Sequence, residues 1–338
     1  MSPDASVGLL HFALPPTGQL LLTIDPALRD LVEAWLPTTA DLVPIGSNAI
    51  AHLRVNDMGS IPNTGTNRSR PIGDPILSFG PICARFSETP GNGKERLVRL
   101  DGDEPGILSG DVDLSRARAV CFVNPGDPRT EAYLRDALTV CTALLLGSQG
   151  HALIHAAAVC ATDGVWLVPG DARSGKSSSV VALVEVGHDW LSDDQVVLST
   201  GSDGDVPVVH GWPRSVHLDE GWGKRRPGGE QTPVDPAAIG PGKLIERGPV
   251  AGVLVPEIRA ESDSGLEPLS QTESLEALVR QSPWLMADPV AAPGILRMME
   301  AVASRPAFRL VLGADSFGNG PLLSSLLRDA APDAARQA

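Results

Sequence analysis

The sequence predicts an α/β protein in which a smaller α/β domain over residues 1–125 precedes a phosphate-loop domain over 126–338. Three observations carry that expectation. Apolar stretches of strand length alternate with stretches of helical spacing along the second half. One of those strands runs straight into "PGDARSGKSSS" (Pro169–Ser179), and a helix-compatible run follows it. Aromatic residues make up only 4%, with Ala, Val and Leu abundant, as suits a layered α/β body.

In the first domain, "QLLLTI" (Gln19–Ile24) and "ARAVCFV" (Ala117–Val123) read as strands, and "LVEAWL" (Leu31–Leu36) reads as a helix. The stretch Asn56–Pro75 is crowded with Gly, Pro, Asn and Ser and reads as a long loop. A helix is expected to open the second domain. Asp127 suits its N-cap, Pro128 its first position and Gly147 its end. Between them Leu134, Ala137, Leu138, Cys141, Leu144 and Leu145 recur at three- and four-residue spacing. "ALIHAAAVC" and "GVWLVP" flank the turn "ATDG" (Ala161–Gly164) as a hairpin. Residues 199–243 read as loop. Beyond them "VAGVLVPEI" (Val250–Ile258) and "AFRLVLG" (Ala307–Gly313) read as strands, "SLEALVRQSPWLM" and "GILRMMEAVASRP" as helices, and the last ten residues as frayed.

Composition excludes several classes. A net charge of −14 argues against a nucleic-acid or anionic-membrane surface, which needs clustered Lys and Arg. No run approaches the ~18 apolar residues of a membrane helix. The N-terminus has no basic residue before its apolar stretch and is cut by Pro15 and Pro16, so it makes a poor signal peptide. A cytoplasmic protein is the expectation. Cys83, Cys121, Cys141 and Cys160 contain no Cys-x-x-Cys pair and read as free thiols of a reducing compartment, not as a metal site.

Gly170, Gly175, Lys176 and Ser177 fit G-x-x-x-x-G-K-[ST]. Small residues at this spacing let successive backbone N–H groups turn inward around a phosphate, and the following helix adds its positive end. The loop Gly170, Asp171, Ala172, Arg173, Ser174, Gly175, Lys176, Ser177 and Ser178 is therefore the candidate nucleotide cradle. Lys176 would reach the β/γ oxygens, and the Ser177 hydroxyl would ligate a bridging Mg²⁺. Arg173 fits a position over the nucleotide as well as it fits a solvated one.

Chain length connects this loop to "LSDD". A helix from Lys176 to Val186 is about 16 Å long, and the return along the sheet takes five or six residues at ~3.3 Å each. His188–Asp193 has that length, so Asp193 and Asp194 should arrive at the end of a parallel strand beside the loop. Paired carboxylates suit phosphoryl transfer to a hydroxyl: one accepts the proton, the other holds the metal. Asp193 is read as the base and Asp194 as the metal ligand, with the exchanged assignment left open.

The run Leu153–Leu198 resembles the HPr kinase/phosphorylase family, and more closely the HPr-kinase-related kinases of peptide-tailoring clusters such as those acting on lasso-peptide precursors. The resemblance lies in His155 ahead of a small-residue strand, the phosphate loop, the turn Gly187–His188 and the double Asp. "WPRSVHL" (Trp212–Leu218) is similar to a Pro-Arg strand of these relatives, and the likeness extends loosely over residues 130–313. It implies a domain akin to that of PEP carboxykinase, and transfer from ATP, with Mg²⁺, to a Ser hydroxyl on a protein or peptide; the leading expectation for this chain is a kinase acting on a Ser or Thr hydroxyl of a peptide or small protein. It also implies an oligomer, without fixing its size. His155 would lie near the active centre and orient a carboxylate, or else be a core histidine; His188 reads as a structural turn residue. Arg214 and the cluster Lys224, Arg225 and Arg226 are candidates for stabilising the transferring phosphoryl group, against a plain surface reading of the cluster. Ser178 stands where the HPr kinases carry an acidic residue, and their Glu-x-Arg-Gly-x-Gly segment has no counterpart. Both departures argue against HPr as acceptor and against reverse phosphorolysis.

Two other functions fit the same motifs: a small-molecule kinase, and a nucleotide-binding regulator that transfers nothing. Motif comparison disfavours other classes. No Asn-Lys-x-Asp occurs, "LSGDV" (Leu108–Val112) is not a transporter-ATPase signature, and no His-Arg-Asp accompanies "DSFGNG". The first 125 residues carry no recognisable chemistry; acceptor recognition is the role left open for them.

Overall fold

The computed structural model describes residues 10–14, 20–25, 28–33, 35–36, 41–42, 51–60, 70–71, 74–88, 96–201, 206–212, 216–219, 231–234 and 238–331. The chain divides into two compact units, Met1–Gly150 with Pro283–Pro293, and His151–Ser282 with Gly294–Ala338.

The first unit is built on one mixed sheet. Its elements are β1 (Leu10–Leu14), β2 (Leu20–Ile24), α1 (Arg29–Glu33), β3 (Asp41–Leu42), β4 (Ala51–Asp57) and β5 (Arg70–Pro71). These are followed by β6 (Leu77–Phe79), β7 (Ile82–Glu88), β8 (Leu97–Gly102), β9 (Leu108–Asp113), β10 (Arg118–Val123) and α2 (Thr130–Ser148). The strand order is β3-β1-β2-β4-β10-β9-β8-β7-β5, with β6 paired to β7. Apolar residues alternate along β4 and β10, burying Leu53, Val55, Ala119, Cys121 and Val123. Helix α2 packs on β9 and β10 and buries Leu134, Ala137, Leu138, Cys141 and Leu145.

Helix α2 differs from expectation in two ways. It belongs to the first unit and does not open the second, because its apolar face is spent on the first sheet. Its first residue is Thr130, with Arg129 at the N-cap; Asp127 lies farther out and accepts from the Arg129 N–H at 2.9 Å. The helix runs through the buried Gly147, and the left-handed glycine after its end is Gly150, φ +82°.

The second unit contains β11 (Ala152–Ile154), β12 (Ala156–Ala161), β13 (Gly164–Pro169), α3 (Lys176–Glu185), β14 (Trp190–Ser192), β15 (Val196–Thr200) and β16 (Pro207–Gly211). It continues with β17 (Val216–Asp219), β18 (Gln231–Val234), β19 (Arg247–Ile258), β20 (Gly265–Pro268), α4 (Gln271–Arg280), α5 (Ala292–Ala303, in this unit from Gly294 on), β21 (Ala307–Leu312) and α6 (Gly320–Ala330). The main sheet runs β11-β15-β16-β19-β13-β12-β14, with β21 on β19 and β20 on β21. Strands β13, β19 and β21 are parallel. β12 is antiparallel to both β13 and β14, so β14 points the same way as β13.

Strand β13 is apolar along its length because both faces are covered, and Trp166 and Leu167 are fully buried. Helices α3 and α6 pack together, joining Val180, Leu183, Val184, Leu323 and Leu327 in one core with Val168, Trp190, Leu254 and Leu312. The expected hairpin is present, with Ala161 facing Gly164 across a two-residue turn. Three parts of the second half differ from the sequence reading. The 199–243 stretch holds β16, β17 and β18. The long helix expected over "SLEALVRQSPWLM" is α4 followed by a separate short turn of helix, Pro283–Ala287. Helix α6 was not anticipated; Asn319 caps it through the Leu322 N–H, and a proline follows in its first turn.

Candidate active site

Every parallel strand in the middle of the second sheet ends at the same edge, where α/β sheets place their ligands. The loop after β13, the turn after β14 and the residue before the antiparallel β12 meet there. Ala156 pairs with Pro169, so His155 lies opposite the start of the loop.

The loop has the backbone of an anion cradle. Ser174 N–H closes a turn onto the Asp171 carbonyl at 3.2 Å, with Arg173 in its third position at φ +64°. A non-glycine residue there costs about 1–2 kcal/mol, a strain that clusters at ligand sites. Gly175 precedes α3 at φ +100°, and a Cβ on it would come within 2.5 Å of the Leu312 side chain. Gly170 is closely packed as well: a Cβ would meet Ser174 Oγ at 2.7 Å and Pro256 at 3.3 Å. No side chain caps α3 and no acid lies in its first turn. Its first N–H groups are thus left for an incoming anion. Asp171, Ala172 and Arg173 are exposed; Ser174, Ser177 and Ser178 are half-buried.

Lys176 is only 6% exposed, and its Nζ donates to the carbonyls of Gly170 and Asp171 at 2.6 and 2.8 Å. Burial pulls its ammonium down to about 8, against the opposing pull of the Asp171 and Asp193 carboxylates. Lys176 and Asp193 are therefore brought within electrostatic reach. Asp193 is buried, and Asp194, about a third exposed, meets His155 Nδ1 at 3.1 Å through Oδ1. Buried Ser192 shapes the turn: its hydroxyl donates to the Trp212 carbonyl at 3.0 Å and accepts a long 3.4 Å bond from the Gln195 N–H.

One expectation about this geometry is corrected. The strand carrying the acids does not lie next to the loop strand; β12 is inserted between them, and on its other side β14 bridges to Leu244. Because β12 starts at the same edge, the insertion delivers His155 between loop and acids. His188 is committed to structure, bonded to the Cys160 carbonyl at 3.0 Å and Ser324 Oγ at 2.8 Å. Arg214, Lys224, Arg225 and Arg226 lie outside the described residues.

The oxygen donors suit Mg²⁺. Among the described residues no three His, Cys, Asp or Glu side chains could cage a metal by themselves. Magnesium is commonly held by one or two carboxylates together with nucleotide phosphates, and the Ser177 hydroxyl with Asp194 would supply protein ligands of that kind. No described helix is long and apolar enough to cross a membrane.

Sequence reasoning missed Gln281. It caps the end of α4 at 7% exposure, and its Nε2 donates to Asp171 Oδ1 at 2.8 Å. A partner 110 residues away leaves no local signal.

No protein-family model matches the chain, and no curated protein matches it. Among solved structures the chain is similar to an HPr(Ser) kinase/phosphatase from Coxiella burnetii, at 13% identity and a TM-score of 0.31, over 52% of this chain and 94% of that one. At that TM-score the likeness bears no weight.

Proposed function

We propose that the chain is an ATP-dependent kinase that transfers the γ-phosphoryl group to a Ser or Thr hydroxyl of a peptide or small protein. The observation that carries this reading is the meeting, at one sheet edge, of an uncapped helix N-terminus, a buried lysine and a carboxylate pair. A bare phosphate-binding loop needs the first two; the carboxylate pair adds a metal ligand and a base for an attacking hydroxyl. The choice of a peptide acceptor follows the resemblance in Leu153–Leu198.

The triphosphate draws Lys176 off the two loop carbonyls, which releases a buried cation onto the β/γ oxygens. The α3 N–H groups and the loop amides hold the same phosphates. Mg²⁺, when bound by Ser177 and Asp194, would neutralise charge on the transferring group. Asp193, close enough to Lys176 for their charges to interact, accepts the proton of the attacking hydroxyl. His155 holds Asp194 in place, as outer groups commonly orient carboxylate ligands.

The test is a panel of Ser- and Thr-containing peptides incubated with Mg-ATP. A mass gain of one phosphoryl group on a hydroxyl residue supports the reading. Phosphate appearing only on small molecules would replace the acceptor class, and nucleotide binding with no transfer to any acceptor would make the chain a regulator.

A further inference from the structure

We propose that Gln281 is a positioning residue that fixes the phosphate loop relative to the His155–Asp194 pair. The inference rests on the kinase reading above. Its two ends make separate bonds. The side-chain Nε2 donates to Asp171 Oδ1 at 2.8 Å, and the main-chain carbonyl accepts from the His155 N–H at 3.0 Å. The amide must be the donor here, because an ionised carboxylate only accepts.

The residue itself is well held. Its N–H donates to the Ala277 carbonyl at the end of α4, and Ser282 Oγ donates to the Leu153 carbonyl at 3.3 Å. One buried residue thus references both halves of the site: loop to Asp171 to Gln281, then Gln281 to His155 to Asp194. The grip matters most when nucleotide arrives. Lys176 then leaves the carbonyls of Gly170 and Asp171, and the bond from Gln281 is what keeps that end of the loop from following. Phosphoryl transfer is sensitive to such placement, since a shift of about 1 Å can cost about a hundredfold in rate.

The experiment compares wild type with Gln281→Ala, Gln281→Glu, Asp171→Asn, Asp171→Ala, the double alanine variant and the double exchange Gln281→Glu with Asp171→Asn. Nucleotide affinity is read with a fluorescent ATP analogue, and transfer by single turnover on an accepted peptide. Gln281→Glu sets two carboxylates against each other, and the transfer rate should fall about 10- to 100-fold with a smaller loss of affinity. In the double exchange the new carboxylate accepts from the new amide, the same bond with its polarity reversed, and the rate should recover to within a few-fold of Asp171→Asn alone. Gln281→Ala should lower the rate about tenfold with its melting temperature near wild type. Should a glutamate variant fail to fold, Gln281→Ala and Asp171→Ala must give equal losses that do not add. Unchanged rates in both Gln281 variants, or a double exchange no better than Gln281→Glu, overturns the proposal while wild-type transfer stands. A wild type that transfers no phosphate overturns the kinase reading, and this proposal with it.

Discussion

Arg99 in the first unit and Lys176 in the second are almost equally buried, at 7% and 6% exposure, yet their charges are met in opposite ways. Arg99 lies between two carboxylates, Asp101 two residues on along β8 and Asp111 directly across on β9, each at 3.0 Å. Its charge is neutralised on the spot. Lys176 bonds only main-chain carbonyls at its ammonium, and its nearest acids act at a distance. A cation satisfied by acids has no reason to leave them; one resting on carbonyls exchanges them readily for phosphate oxygens. The contrast separates structural charge from charge held in reserve. His210 shows a third solution, in which the buried base gives up its proton and hydrogen-bonds Ser199 Oγ at 2.8 Å.

The widest separation comes from replacing each cation by methionine. Lys176→Met should lower phosphoryl transfer about a thousandfold while leaving urea unfolding unchanged or shifted toward greater stability, because an uncompensated burial cost disappears. Wild-type transfer in that variant would break the contrast at its functional end.

Next in size is the acid response of His210. Burial, with His151 and Arg247 adding to it, holds its imidazole down at about 4, well below the ordinary 6.5. The unfolded chain therefore binds a proton that the folded chain refuses between those values. Stability from this group is complete above pH 6.5 and is lost as pH falls toward 4, by roughly 3 kcal/mol in all. Urea titrations across that range should show the slope in wild type and a flatter one in His210→Gln. Equal slopes would mean that His210 titrates alike in both states.

Arg99→Met is expected to cost a smaller 1–2 kcal/mol, roughly, since Asp101 and Asp111 are each a third exposed and rehydrate in part. Transfer should be unaffected, as measured beside wild type on the same peptide. Smallest of all is Ser177→Ala. Loss of the hydroxyl proposed to ligate Mg²⁺ should raise the Mg²⁺ concentration needed for half-maximal transfer about tenfold, with nucleotide binding in the absence of metal near wild type.

What could be read from the sequence was local. The phosphate loop follows from spacing alone, and α3 is bounded by residues next to it, Gly175 and Gly187, both with positive φ. Helix and strand lengths predict that the acids arrive at this sheet edge; β14 ends there, and the Asp193 carboxylate acts electrostatically on Lys176. Strand order was not legible. Nothing in "ALIHAAAVC" says that β12 will be inserted between β13 and β14, because pairing is decided by partners distant in sequence. The same holds for α2, whose buried face is plain from its periodicity while the sheet it covers is not. Helix α6 has a usable signal in Asn319, Pro321 and the leucines at 322, 323, 326 and 327, just ahead of the last ten residues that read as frayed. Gln281 had none.

The most direct measurement sets nucleotide binding beside phosphoryl transfer in wild type and Asp193→Asn. With labelled ATP, both proteins should bind nucleotide with similar affinity, and only the wild type should pass the terminal phosphoryl group to a hydroxyl residue. Transfer by Asp193→Asn at the wild-type rate would show that the carboxylate beside Lys176 takes no proton, and the site would have to be rebuilt around another base.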